Sequence, residues 1–398
     1  MSPIRWLVAV LLLIHGAIHL LGFVKAFGFA ALPQLSAAIS RPVGLLWLAA
    51  GVLSISAAFA SPNVFWKLGA SAIVLSQIVI VSAWSDAKFG TLANLVLLLP
   101  VVYAFASRGP LGLRTEYQRD AARELAKSLA VAVVTEADLA GLPPPVQRYL
   151  RVSGAVGQPK VFNVRAHWLG RIRNSASEPW MTFSAEQLNT YGQIASRLFI
   201  MDASMKRLPV DIYHQFIDES ATFRVRLLSA FPLVDAKGPE MNRSETVTVF
   251  NDMCVLAPGA LIDPALRWQL IDSHTVRASF TRLSQVIEAE LHFNDAGELV
   301  DFISDDRSRA SSDGKSFTRE RWSTPLSDYR SFGSHRLSAY GVARTGSPAG
   351  AFNYGEFRLQ AIDYNVTLPN REAITRRPRA RTATPTRLPP LATHASPR

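Results

Sequence analysis

The sequence predicts an α+β membrane protein, in which a bundle of four transmembrane helices precedes a soluble β-rich domain. Four long apolar segments follow one another in the first 107 residues. From residue 158 onward, apolar residues instead recur with a period of two, which is typical of antiparallel strands with one wet face. Few segments there have helical periodicity, so strands must supply most of the soluble core.

Residues 6–26, 42–60, 64–84 and 91–106 make up the four apolar segments. Each approaches the ~20 residues that a helix needs to cross a hydrocarbon core about 30 Å thick. The loops between them are short, which favours antiparallel neighbours and an up-down-up-down bundle. Residues 1–107 are therefore predicted to form a transmembrane domain.

Lysines and arginines near the ends of these segments predict their orientation. One side of the bundle would carry Arg5, Lys67, Arg108, Arg114, Arg119 and Arg123. The other side would carry Lys25, Arg41 and Lys88. The positive-inside rule places the richer side in the cytoplasm. We therefore expect a multi-pass protein of the plasma membrane with its soluble domain on the cytoplasmic side.

Two histidines, His15 and His19, are the polar exception in the first span. A spacing of four residues places both on one face of the helix. They are candidate ligands of a metal or haem, or else partners in interhelical hydrogen bonds. The other spans offer no further His, Cys or Glu, so hydrogen bonding to Gln77 or Asn94 is favoured. No metal or cofactor is predicted.

Residues 108–157 are predicted to be a helical connector between the two parts. Glu116–Ala132 has a helical composition. Thr135 and Asp138 have the spacing of a capping box, which marks the start of another helix. Val146–Val152 follows a run of prolines and predicts a short helix packed against the sheet.

Residues 158–368 are predicted to form the soluble domain, with about ten antiparallel strands. Asn294–Gly297 predicts a hairpin turn, because glycine adopts positive φ freely. Too few helices are available to cover a flat sheet of this size. We therefore expect a strongly curved sheet or half-barrel whose apolar interior holds a lipid or another hydrophobic ligand.

Glu245–Pro258 concentrates unusual residues: an acid, an amide–carboxylate pair and the single cysteine, Cys254. Alternation through Thr246, Thr248 and Phe250 predicts a strand. Asn251 or Asp252 would then cap a helix over Asp252–Ile262. This corner would lie at the mouth of the cavity, which makes Glu245, Asn251 and Asp252 candidate ligand-binding residues. Glu245 paired with an arginine, and Asn251 and Asp252 acting as caps alone, remain the structural alternatives.

Trp268 and Arg307 complete the candidate ligand-binding residues, Trp268 as a core or cavity residue and Arg307 as a partner for Glu245. The adjacent Asp305 and Asp306 suggest a cation site. A continuing strand would point them to opposite faces, however, so pairing with arginines is favoured. Cys254 between apolar neighbours is expected to be a buried small hydrophobe.

The remaining features narrow the classes of function. The motifs of serine hydrolases, phosphate loops, dinucleotide-binding domains and zinc proteases do not occur in the sequence. Residues 369–398 contribute +6 of the net charge of +11, and their Arg- and Pro-rich composition predicts a disordered tail. No nucleic-acid partner is predicted, and the tail would meet anionic membrane headgroups if it meets a partner.

The chain resembles a bacterial family of uncharacterised membrane proteins that end in a domain of unknown function. The resemblance runs from Ile14 to Val366 and rests on several strings: His15-Gly16, His19–Gly28, Gly44–Trp47, Asp86–Asn94, Val146–Leu150, Glu245–Pro258, Ser304–Arg307 and Tyr364–Val366. It implies a bacterial plasma membrane and a soluble fold like that of curved-sheet lipoprotein carriers. It implies no activity and no cofactor.

Three functions are consistent with these observations. The favoured one is a membrane-anchored domain that binds a lipid or another hydrophobic ligand. The second is a membrane enzyme acting on a lipid-like substrate through acidic residues, which requires those carboxylates to converge. The third is a structural or assembly role in the membrane.

Overall fold

The fold consists of four long apolar helices that lead into a large antiparallel sheet, as seen in a computed structural model. The structure describes residues 3–33, 35–127, 132–192, 194–282, 285–311, 313–347 and 350–368. The predicted order of apolar helices followed by an antiparallel sheet is confirmed. The predicted disordered tail, residues 369–398, lies outside the described residues, as do residues 128–131 of the connector.

Four of the helices are long and apolar enough to cross a membrane: α1 (Pro3–Ala26), α2 (Arg41–Phe59), α3 (Pro62–Ser82) and α5 (Gly90–Arg108). A short helix, α4 (Trp84–Ala87), lies between α3 and α5. Close packing of α1 on α2 depends on glycine, since a Cβ at Gly22 would lie 2.3 Å from the ring of Trp47.

The connector contains α6 (Leu113–Leu125), a 3₁₀ turn (Glu136–Leu139) and α7 (Pro144–Val152). The predicted capping box is present, with the backbone N–H of Thr135 donating to Asp138 Oδ2 at 2.8 Å. Helix α6 packs on one face of the sheet. There Asp120 accepts hydrogen bonds from the Tyr213 hydroxyl at 2.8 Å and the Gln215 amide at 2.6 Å.

The soluble domain has sixteen strands in the described residues, more than the ten expected. They are β1 (Asn163–Ile172), β2 (Met181–Thr190), β3 (Ser196–Met205), β4 (Leu208–Ile217), β5 (Ser220–Leu227), β6 (Phe231–Lys237), β7 (Leu266–Leu270), β8 (Thr275–Arg282), β9 (Gln285–Phe293), β10 (Leu299–Ser304), β11 (Ser308–Ala310), β12 (Phe317–Arg319), β13 (Arg321–Ser323), β14 (Leu326–Phe332), β15 (His335–Ser347) and β16 (Gly350–Tyr364).

Fourteen strands form one antiparallel sheet in the order β6-β5-β4-β3-β2-β1-β16-β15-β13-β10-β9-β8-β7, with β14 paired to β15. The first and last strands of the domain are therefore neighbours. A reciprocal clasp ends this β1–β16 pair: Asn365 Oδ1 accepts from the backbone N–H of Phe162 at 2.7 Å, and Asn163 Oδ1 accepts from that of Val366 at 2.8 Å. The sheet is open. It is neither closed nor strongly curled, so the predicted strong curvature of a half-barrel is wrong.

Helix α8 (Pro239–Leu256) crosses the other face of the sheet, and it corrects the prediction for this segment. The expected strand over residues 246–250 and the expected helix over Asp252–Ile262 are wrong. One continuous helix begins at a proline in its first turn, and a short 3₁₀ turn (Pro258–Ile262) follows it. Asn251 and Asp252 therefore lie inside the helix and do not cap it.

Helix α8 is buried on nearly all sides because it contacts strands near both edges of the sheet, β5 and β6 at one edge and β9 and β10 towards the other. The Phe250 ring stacks on Phe280 of β8 at 5.2 Å and meets Phe302 of β10 at 5.4 Å. From the opposite side, Arg197 of β3 donates to Asp252. The predicted burial of Cys254 is confirmed, and burial raises the pKa of its thiol.

Candidate ligand-binding cavity

A cavity of about 1040 Å³ lies between helix α8 and the inner face of the sheet. Its apolar walls come mainly from β3, β4, β5, β15 and β16, and include Phe199, Met201, Ile212, Val225, Ala343 and Phe357. Small-molecule sites in proteins usually measure roughly 300–1,000 Å³, so this cavity lies at the upper limit of that range. It has the size and lining for a large, mostly apolar ligand.

One face of α8 forms the floor of this cavity. The lining residues recur at helical spacing: Met241, Ser244, Thr248, Asn251, Asp252 and Val255. The opposite face carries Phe250 and Cys254, which pack into the core. The helix therefore separates a polar-lined floor from a dry core.

Asp252 is held at the floor by three donors that converge on a single carboxylate oxygen. Its Oδ2 atom accepts hydrogen bonds from Gln187 at 2.6 Å, Arg197 Nε at 2.7 Å and Asn189 at 3.0 Å. All three donors come from the adjacent strands β2 and β3, so this residue ties the helix to the sheet. Burying a carboxylate is costly unless hydrogen-bond donors of this kind satisfy its oxygens.

Glu245 lies two turns earlier on α8 and is completely buried (0% exposed). Its carboxylate lies 3.3 Å from Arg197 Nη1 and 2.9 Å from His214 Nε2. Burial alone would raise the pKa of this carboxyl, but the adjacent His214 ring and the positive charges of Arg197 and Arg307 outweigh it and lower the pKa to about 2. Glu245 is therefore an anion at neutral pH.

His214 completes this cluster. Burial lowers the pKa of its imidazole, with Glu245 acting in the opposite direction, so the ring is neutral at neutral pH. The ring places Nε2 2.9 Å from Glu245 Oε1, and Nδ1 of the neutral ring accepts from Arg197 Nη1 at 3.4 Å. Glu245, Asp252, Arg197 and His214, here called the floor cluster, thus form a connected polar network.

Arg307 lines the cavity beside the floor cluster and is bound much more loosely. Its guanidinium lies 4.7 Å from the ring of Trp322, and its Nε donates to Thr248 Oγ1 at 3.4 Å. No carboxylate of the described residues lies within salt-bridge distance of it. Arg307 is half-buried and lines the cavity.

The structure brings four of the five predicted site residues to one place. Asn251, Asp252 and Arg307 line the cavity, and Glu245 lies directly behind its floor. Asn251 also donates to Thr324 Oγ1 at 2.7 Å. Trp268 is not brought there: it lies on the edge strand β7, opposite Ala278.

The expected pairing of Glu245 with an arginine is found, but the arginine is Arg197 and not Arg307. Asp305 and Asp306 lie between β10 and β11, outside a strand, so the strand argument does not apply to them, but the favoured pairing with arginines is found. Asp306 accepts from Arg243 at 2.7 Å and also from Arg319, while Asp305 pairs with Arg321 at 3.3 Å. Glu245 and Asp252 share Arg197, whereas Asp305 and Asp306 bind other arginines, so the acidic residues of the enzyme hypothesis fall into separate groups.

Sequence reasoning missed Arg197, His214, Gln187 and Asn189. The sequence does contain a pattern that points to Gln187 and Asn189. Positions 183, 185, 187 and 189 lie on one face of β2, and the two amides follow two apolar residues on that face. Arg197 and His214 carry no such signal. Their partners on α8 lie dozens of residues away in the chain, so the pairing depends on the tertiary fold.

The two histidines of α1, His15 and His19, belong to a separate polar network among the apolar helices. The Nε2 atoms of His15 and His19 lie 3.0 and 2.8 Å from Ser76 Oγ. Ser76 donates to Asn94 at 3.0 Å, and Asn94 donates to Gln77 at 3.0 Å. The network joins α1, α3 and α5, with Ser76 as the link that sequence reasoning missed. Across the described ranges, no group of three or more His, Cys, Asp or Glu side chains is placed to hold a metal ion.

Comparison with protein-family models matches residues 132–357 to a family of unknown function, DUF6544. The chain belongs to this family. The match runs from the middle of the connector into β16 and includes the whole cavity floor. A search of curated proteins finds no match.

Solved structures similar to this DUF6544 protein include three bacterial proteins. A Vibrio parahaemolyticus domain named for outer-membrane lipoprotein sorting has 10% identity and a TM-score of 0.33, over 53% of this chain and 88% of that one. A DUF1329 family protein from Desulfovibrio piger has 9% identity and a TM-score of 0.28, over 62% and 98%. A β-barrel-like DUF1849 protein from Brucella abortus has 11% identity and a TM-score of 0.17, over 52% and 98%.

Proposed function

We propose that this protein is a membrane-anchored binding protein whose soluble domain holds a lipid or another large hydrophobic ligand. The observation that carries the proposal is the cavity of about 1040 Å³ with walls of aromatic and aliphatic side chains. Removing apolar ligand surface from water contributes roughly 25 cal/mol per Å². A ligand that fills this cavity therefore gains most of its binding energy from the apolar walls.

The position of the cavity supports a ligand drawn from the membrane. The connections at residues 172–181, 205–208 and 227–231 lie at one end of the sheet, because their strands pair antiparallel. That end adjoins the chain leaving α5, where Arg226 donates to the carbonyl of Leu111 at 2.9 Å. The first two of these connections, together with Leu233 beside the third, line the cavity at this end, its rim, whereas α8 crosses the far end. The rim therefore faces the ends of the membrane helices.

The rim also has the composition of a surface that meets lipid headgroups. Leu208, Phe231 and Leu233 are exposed large hydrophobic residues at this end, and Lys206 and Arg207 are exposed between them. Apolar side chains beside basic ones favour the interface of an anionic membrane. Under this proposal the ligand passes between the bilayer and the cavity across this rim.

Two valine replacements test the proposal. Val225→Trp places an indole in the cavity, whereas Val286→Trp places one at an exposed position on β9. Each full-length protein is purified in detergent, examined by native mass spectrometry and extracted for lipids. Wild type and Val286→Trp are expected to retain a ligand that Val225→Trp lacks. Equal ligand content in all three would refute the proposal.

We further propose that the soluble domain faces the cytoplasm, on the basis of the excess of Lys and Arg at that end of the bundle. A cytoplasm-active reporter fused after Arg398 is expected to be active. Activity only of a reporter that requires export would show the opposite orientation.

A further inference from the structure

The cavity is apolar in its walls but strongly cationic in its charged residues. Two carboxylates line it, Glu178 and Asp252. Six cationic side chains line it: Arg173, Arg197, Lys206, Arg207, Arg307 and Arg309. The lining thus has an excess of four positive charges, and the buried Glu245 behind the floor offsets one of them. A neutral hydrophobic ligand would leave this excess of positive charge without a binding partner.

The contacts of these cations show which of them is available to a ligand. Arg197 is held by Asp252 and Glu245, and Arg309 pairs with Glu320 at 3.2 Å. Arg173 donates to two backbone carbonyls, and its guanidinium lies 4.4 Å from the Trp180 ring. Lys206 and Arg207 are exposed on the β3–β4 turn at the rim. Among the described residues, Arg307 is the cation inside the cavity whose guanidinium has neither a carboxylate nor a backbone carbonyl as partner.

Arg307 is also oriented for binding. The Trp322 ring supports the guanidinium, and Trp322 is itself fixed by a hydrogen bond from its Nε1 to the Tyr354 hydroxyl at 2.9 Å. Within the described part of the chain, the side chain of Arg307 makes a single hydrogen bond, the 3.4 Å contact from Nε to Thr248 Oγ1. The two terminal nitrogens therefore keep their donors for a planar or tetrahedral anion, which guanidinium binds in bidentate fashion.

We propose that the ligand is an anionic amphiphile, whose carboxylate or phosphate binds Arg307 while its hydrocarbon chain lies along the apolar walls. This inference rests on the proposed function and adds the charge and the position of the headgroup. The rim cations Lys206 and Arg207 then attract the headgroup at the membrane surface. Arg307 binds it after entry.

The experiment compares amphiphiles that share a chain and differ in their headgroup: palmitate, hexadecyl phosphate and hexadecanol. Inorganic phosphate alone is the fourth probe. Their dissociation constants are measured by competition with a bound fluorescent lipid, using the full-length protein in detergent. A charge-assisted hydrogen-bonding pair favours the anions over hexadecanol by roughly ten- to a hundredfold in wild type. Free phosphate is expected to compete poorly, because it lacks the chain.

Three variants identify the residue responsible. Arg307→Gln is expected to abolish the preference for the anions and to leave hexadecanol binding unchanged, which also shows that the cavity is intact. Arg307→Lys is expected to keep part of the preference, because it retains the charge without the planar fork. The double variant Lys206→Gln/Arg207→Gln is expected to slow association and to preserve the preference at equilibrium.

The outcomes separate this inference from the function on which it rests. Equal affinity of wild type for anions and hexadecanol, with both excluded by Val225→Trp, overturns the inference and leaves the lipid-binding function standing. A preference for anions over hexadecanol that survives in Arg307→Gln but disappears in Lys206→Gln/Arg207→Gln also overturns the inference. Binding of every amphiphile that is unaffected by Val225→Trp overturns the proposed function itself.

Discussion

Replacing Arg197 with methionine removes the cation that two buried carboxylates share. Asp252 loses a 2.7 Å partner and Glu245 loses a 3.3 Å partner, while both remain out of water. Removing one member of a buried ion pair costs about 3–5 kcal/mol, because the remaining charge is left uncompensated. For a domain of this size, that corresponds to a fall in melting temperature of roughly 6–20 °C.

The assay is thermal unfolding of the full-length protein in detergent, followed by tryptophan fluorescence. Arg151→Met is the matched control, because Arg151 pairs with Glu136 at the surface and its loss is expected to shift the midpoint by at most about 3 °C. The triple variant Arg197→Met/Glu245→Gln/Asp252→Asn is expected to regain much of the loss, since its buried groups are neutral. If Arg197→Met melted within about 3 °C of wild type, the reasoning would be refuted.

Three further predictions concern the same domain. Phe250→Ala empties a site between Phe280 and Phe302 and is expected to cost about 3–5 kcal/mol in the same thermal assay; a loss below about 1 kcal/mol would contradict the packing. Asn365→Ala breaks the clasp between β1 and β16, and hydrogen exchange at the adjacent amides is expected to accelerate. The pKa of His214 is lower in the folded state than in the unfolded state, so below about pH 6.5 the unfolded state binds a proton that the folded state does not bind. The free energy of unfolding therefore decreases as the pH falls below that value. His214→Gln is expected to flatten this dependence, and an unchanged slope would count against it. The carboxyl of Glu245, with its pKa lowered from 4.5 to about 2, adds a second loss between those two values.

The helices and most strands follow from the sequence because each depends on a local pattern. Hydropathy alone marks the four apolar helices, since lipid demands about 20 apolar residues wherever a helix crosses. Period-two alternation marks strands such as β9, where Ile287, Ala289 and Leu291 are all buried. Asn294–Gly297 joins β9 to β10 as expected, with Gly297 at φ +81°.

Helix α8 shows where local patterns fail. Thr246, Val247, Thr248 and Val249 favour strands, and a helix buried on nearly all sides shows no amphipathic stripe to correct that prediction. Tertiary packing overrides the propensity here. The hydroxyl of Thr248 donates to the Ser244 carbonyl at 2.9 Å, which satisfies within the helix a group that a strand would expose.

The floor cluster was only half predictable for a related reason. Glu245 and Asp252 are acidic residues in an apolar segment, and this pattern alone predicts them as candidate site residues. Their partners Arg197 and His214 lie on β3 and β4, and only the sheet register places those strands beneath α8. The identity of a charge pair between distant segments is set by the fold and has no local signature.

The central claim is that a lipid lies inside the soluble domain, and photocrosslinking tests it most directly. The full-length protein is placed in nanodiscs that contain a phospholipid with a photoactivatable group at the end of its acyl chain. After irradiation, digestion and mass spectrometry, crosslinks are predicted on cavity peptides containing Phe199, Met201 or Ile212. They should disappear in Val225→Trp and persist in Val286→Trp. Crosslinks confined to the four apolar helices would contradict the claim.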